Sequence, residues 1–150
     1  MSTTAYPTTF FSGPISRAVS GALAGIVGGI AYGVLLAMMG MLPVVAMLVG
    51  SGSAVVGVFV HLVISASLGA LFGVAVPAKK LGTLLGAGVV YGLLWWVLGP
   101  LLIMPVWLGM PPFMIDTGAL TILGGHVIYG LVTAATLAGI RRYGRSSVAG

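Results

Sequence analysis

A chain of 150 residues that is 59% hydrophobic and 5% charged, with a mean hydropathy of +1.23, excludes a water-soluble domain, which carries about 25% charged residues. Six basic side chains against one acid give a net charge of +5, but they stand at the borders of apolar runs rather than on one helical face, which excludes a nucleic-acid surface. The absence of cysteine excludes disulfides, zinc–thiolate sites and thiol catalysis.

The chain opens on "MSTTAYPTTFFSGPIS" and Arg17. Residues 1–17 read as a short cytoplasmic tail. A cleaved signal peptide is disfavoured, because the apolar run that follows is too long for a signal core. The first span is expected at 18–42, since a membrane-crossing helix needs roughly 20 apolar residues. Gly21, Gly25, Gly29 and Gly33 recur every fourth position and so share one helix face. Tyr32 lies beside them.

An outer loop, Pro43 to Ser53, leads to the second span at 54–76. Its every-fourth row is Gly57, His61, Ser65, Gly69 and Gly73. A short basic loop with Lys79 and Lys80 precedes the third span at 81–104, which holds the rows Gly82–Gly86 and Gly88–Gly92, Tyr91, and the pair Trp95–Trp96. The tryptophans read as lipid-facing or packing bulk. Pro105 to Asp116 is again apolar for a loop, with Trp107 as a headgroup-level anchor. Its end, Pro-Pro-Phe-Met-Ile-Asp-Thr-Gly, reads as a turn capping the next helix. The fourth span, 118–140, carries Gly118, Ile122, His126, Gly130, Ala134 and Ala138 four apart, and 141–150 is a basic cytoplasmic tail.

The expected fold is thus an all-α membrane protein of four transmembrane helices. Lipid supplies no hydrophobic drive between helices, so small residues at every fourth position mark where helices approach closely. The packing positions are Gly21, Gly25, Gly29, Gly33, Gly57, Gly69, Gly73 and Gly130. With four spans, Arg17, Lys79, Lys80, Arg141, Arg142 and Arg145 share one side and Asp116 takes the other. The positive-inside rule then gives a multi-pass protein of the cell (inner) membrane with both termini in the cytoplasm. The halves also resemble each other: "GGIAYGVLLAMMG" aligns with "AGVVYGLLWWVLG" at Tyr-Gly and the closing glycine, and each half's second span holds a histidine. Two helical hairpins in parallel pseudo-twofold repeat are expected.

The repeat places His61 and His126, the only histidines, at one depth, roughly 10–12 Å below the outer boundary. Both stand on small-residue ridges and therefore face protein. A structural reading pairs Tyr32 with His61 and Tyr91 with His126; Ser65, Thr133 and Thr136 are further partners. Alternatively, the two imidazoles are axial ligands to haem b, or one joins the outer-end methionines in holding copper. No span contains Asp, Glu, Lys or Cys, so an enzyme is not expected, nor a pump coupled through an intramembrane carboxylate. A passive channel for a small solute stays open as an alternative.

At "GHVIYG" the chain resembles small bacterial inner-membrane proteins of the YagU type, which carry a Gly-His pair followed by apolar and aromatic residues in a late span. The likeness covers that hexapeptide and the four-span outline; this chain is shorter and lacks their acidic loops. The resemblance implies no settled activity and singles out Gly125 and His126. The function expected from the sequence is a non-catalytic membrane subunit, structural or accessory. It would pack in the lipid bilayer against itself or other membrane subunits, with no resident cofactor and no nucleic acid.

Overall fold

A computed structural model describes residues 13–78 and 80–146. Residues 1–12 of the expected N-terminal tail, 147–150 of the expected C-terminal tail and Lys79 lie outside these residues, whereas 141–146, expected in the tail, continue the last helix. Among the described residues there is no strand; they form helices joined by turns and short irregular segments. The helices are α1 (Pro14–Met38), α2 (Leu42–Ala46), α3 (Ala54–Ala75), α4 (Leu81–Leu98), α5 (Met104–Trp107) and α6 (Thr117–Ser146). Four stretches are long and apolar enough to cross a membrane: Pro14–Met38, Ala54–Ala75, Leu81–Trp107 and Thr117–Tyr143.

The helix ends follow local chemistry. α1 begins at Pro14, four residues ahead of the expected span, because proline suits the first turn of a helix, where its missing N–H goes unused. It ends at Met38, short of Leu42, where Gly40 adopts φ +66° and reverses the chain into α2. α3 stops at Ala75 because Pro77 forces Val76 out of the helical region, to φ −108° and ψ 92°. α4 passes into a π-helical turn at Gly99–Ile103, where Pro100 cannot donate to the helical ladder. The run then continues as α5. Asp116 caps α6 as expected, its Oδ1 accepting the Ala119 N–H at 2.7 Å.

Residues sort between inside and outside by size rather than polarity, as lipid requires. On α1 the large aliphatics Val19, Leu23, Val27, Ile30 and Val34 are exposed, whereas Gly21, Gly25, Gly28 and Gly29 are buried. Gly21, Gly25, Gly29 and Gly33 form an antiparallel seam with α3. Gly21 stands against Gly73, Gly25 against Gly69, Gly29 against Ser65 and Gly33 against His61. A side-chain carbon on Gly25 would lie 2.7 Å from the Gly69 Cα, and one on Gly21 2.8 Å from the Gly73 Cα. Neither clash can be relieved by a rotamer change. At the start of α3 Gly57 lies under the Leu42 carbonyl, which seats α2 on α3.

A second seam joins α4 to α6, with Gly88 against Gly130 and Gly92 against the backbone at His126. In both seams the glycine of a Tyr-Gly pair faces the histidine of the next long helix. A third contact, between α1 and α6, puts Gly28 against Tyr129 and Thr133, and Gly125 against the ring of Tyr32. The helices therefore lie in the order α3, α1, α6, α4. α3 and α4 scarcely touch through their backbones. Tyr91 spans that gap: its hydroxyl donates to the Leu68 carbonyl at 2.8 Å and its ring lies 5.0 Å from that of Phe72.

Both described ends of the chain sit at the same end of the bundle, since Arg17 and Arg141 both reach the end of α3. At the other end the loops fold inward. The Phe113 N–H donates to the Leu101 carbonyl at 2.7 Å, and the Trp107 indole donates to Leu48 at 3.2 Å.

Candidate functional site

The two histidines of the spans gather around Tyr32. This tyrosine leaves α1 one position before Gly33, so it is turned about 100° away from the α3 seam and toward α6. It enters the space that Gly125 leaves open. Its ring centroid lies 5.3 Å from that of His61, edge-on at 80°, and 4.9 Å from that of His126, tilted at 59°. One tyrosine thus touches the histidines of both hairpins. Tyr32, His61 and the neighbouring Tyr129 are all buried.

Backbone carbonyls fix the orientation of these groups. The His61 Nε2 stands 2.9 Å from the Gly29 carbonyl, across the α1–α3 seam. The His126 Nδ1 stands 2.9 Å from the Ile122 carbonyl, one turn back on its own helix. A carbonyl only accepts, so the proton is on Nε2 in His61 and on Nδ1 in His126. Tyr129 donates its hydroxyl to the Ser65 carbonyl at 2.7 Å, tying α6 to α3 behind α1. Such interhelical bonds contribute about 0.6 kcal/mol on average in a membrane protein, and up to about 1.7.

The pairing differs in one half from the sequence expectation. Tyr32 lies against His61, but ring to ring rather than through the expected hydrogen bond, because the His61 Nε2 turns to the Gly29 carbonyl. Tyr91 turns away from His126 to Leu68 and Phe72. The reason is geometric: Gly92 presents α4's backbone to α6, and Tyr91, one residue earlier, points toward α3. Tyr129, Arg17 and Arg141 are contacts that sequence reasoning did not single out. Tyr129 was legible as the residue three after His126, on nearly the same face.

A recess of about 210 Å³ opens on the outward side of the α1–α3 seam, lined by Gly29, Gly33, Val34, Val58, His61 and Leu62 among others. It is apolar, with the edge of His61 as its polar element. Sites for cofactors and drug-sized ligands occupy about 300–1,000 Å³, so this recess is smaller than such a site. Among the described residues no three of His, Cys, Asp and Glu come together as a metal site.

Each histidine directs one ring N–H to a carbonyl, and Tyr91 and Tyr129 place their hydroxyls on the carbonyls of another helix. Three of these bonds run between helices, from His61 to Gly29, Tyr91 to Leu68 and Tyr129 to Ser65. Against family models, curated proteins and solved structures the chain has no match.

Proposed function

We propose that the chain is a non-catalytic integral membrane protein, a small structural or accessory subunit that packs against copies of itself or against other membrane subunits. The observation that carries this reading is the bare face of α4. That helix buries only Leu84, Gly88 and Gly92, against α6. On its other side Gly82 and Gly86 have open space where a side chain would stand, and Val90, Leu94 and Val97 are exposed. Two glycines four apart on an uncovered face let a second helix approach closely.

The tethering of His61, His126, Tyr91 and Tyr129 to backbone carbonyls supports a non-catalytic role. The haem reading draws less support, because the imidazoles converge on the ring of Tyr32 rather than on an open gap. The glycine seams bring backbones together along α1–α3 and α4–α6, which weighs against a solute path there. The matching registers of Gly33 with His61 and Gly92 with His126 support a parallel repeat of two hairpins. The likeness to YagU-type proteins rests on Gly125 and His126, the pair that receives Tyr32. The grouping of basic residues supports cytoplasmic termini.

The test uses the absence of cysteine. Val90→Cys, on the bare face of α4, is oxidised in native membranes beside Val34→Cys, on the exposed face of α1. A covalent dimer at position 90, or a bifunctional thiol cross-link from it to another membrane protein, is expected well above the level at position 34. Equal, low cross-linking at both positions would remove the basis for a packing subunit.

A further inference from the structure

The end of α3 is held by two arginines from different helices. The Arg17 Nε donates to the Gly73 carbonyl at 3.3 Å, and its Nη2 donates to the Val74 carbonyl. Arg141 sends Nη2 to that same Gly73 oxygen at 2.9 Å and Nη1 to the carbonyls of Val76 and Ala78, at 2.9 and 2.8 Å. The physical cause is plain. The last carbonyls of a helix have no partner within it, and Pro77 stops α3 from continuing. Two guanidiniums satisfy the carbonyls and complement the negative end of the helix dipole.

Two full positive charges converge on one oxygen, and the helix end returns only about half a unit of negative charge. No side chain of this protein supplies the rest. Asp116 is the only acid in the sequence, and it caps α6 at the opposite end of the bundle. Each guanidinium has five N–H donors, of which these carbonyls take two or three. Both arginines are half-buried at the ends of membrane-spanning helices, the level at which lipid phosphates lie.

We propose that Arg17 and Arg141, joined through the Gly73 carbonyl, form a binding site for the phosphate of an anionic phospholipid. Arginine's planar fork suits phosphate oxygens, and a charge-assisted bond to phosphate is about twice as strong as a neutral one. The lipid completes the charge balance at the end of α3 and links α1, α3 and α6 at one headgroup. The site is independent of the bare face of α4, so failure of either reading leaves the other standing.

Native mass spectrometry of the full chain in detergent, titrated with phosphatidylglycerol or phosphatidylcholine, tests the site. Two arginines near a lipid surface predict a preference for phosphatidylglycerol of roughly 10- to 30-fold. Arg17→Gln or Arg141→Gln should reduce that preference several-fold, while Arg142→Gln, at an exposed position, should leave it near the wild-type value. If neither glutamine variant folds, Arg17→Lys and Arg141→Lys keep the charge without the fork and should lower the preference. No preference in the wild type, or a preference unchanged in the folded Arg17 and Arg141 variants, would overturn the assignment. So would inorganic phosphate that binds alone and displaces the lipid, which would make free phosphate the ligand.

Discussion

The imidazole of His61 donates to the Gly29 carbonyl at 2.9 Å, so one polar bond fastens α1 to α3 just where the row of glycines gives way to a side chain. The corresponding bond of His126 returns to Ile122 on its own helix. Two histidines that look equivalent in the sequence therefore do different work: one joins helices, the other orients a ring against Tyr32.

His61→Leu should accordingly lower stability by about 1–2 kcal/mol, because an interhelical bond is lost and the desolvated carbonyl keeps only its partner within α1. His61→Gln should retain most of the stability, since an amide still donates. His126→Leu should lose less than His61→Leu. Reversible unfolding in mixed micelles gives the comparison. A larger loss at position 126 would show that the Tyr32–His126 contact, rather than the His61–Gly29 bond, holds the bundle.

Gly125 and Tyr32 should be coupled. A side-chain carbon on Gly125 would lie 2.9 Å from Tyr32 Cζ and closer still to the ring's edge, so Gly125→Ala overpacks the contact and should lower stability by about 1–3 kcal/mol. In a Tyr32→Ala background the same substitution should be nearly neutral, because the ring it collides with is gone. Gly124→Ala, where nothing lies within 4 Å, is the control and should be tolerated. Additive losses in the Gly125–Tyr32 double variant would mean that the ring does not occupy the space above Gly125.

The proposed orientation predicts a labelling pattern. Met114→Cys, in the exposed outer loop, should react in intact cells with a thiol reagent that does not cross membranes. Ser146→Cys, at the basic end, should react only after the cells are opened. Labelling of position 146 but not 114 in intact cells would reverse the topology and place the arginines outside.

Composition alone settled the solvent and, with it, the element type. A chain this poor in charge is read against lipid, and in lipid an unpaired backbone group is so unfavourable that each long apolar run becomes a helix. The four-residue rows of glycine also identified the buried faces of α1 and α3, since only small residues let backbones touch. Proline and glycine marked where helices end, although Pro14 began α1 earlier and Gly40 ended it sooner than run length suggested. Asp116 was legible as a cap from its place before Thr-Gly.

The sequence did not say which face meets which helix. A row of small residues permits close approach but names no partner: Gly88 and Gly92 found α6, while Gly82 and Gly86, an equally good row on paper, stand bare. Nor did the repeat decide the polar layer. Tyr32 and Tyr91 occupy matching positions, but Tyr32 meets Gly125 and can enter between helices, whereas Tyr91 faces Leu68 and Phe72 and must bridge a gap. Arg17 and Arg141, 124 positions apart, share a carbonyl only because α1, α3 and α6 end together. Periodicity is a property of one helix, whereas these relationships depend on the volumes of side chains on two or three helices at once, and so only the packed structure decided them.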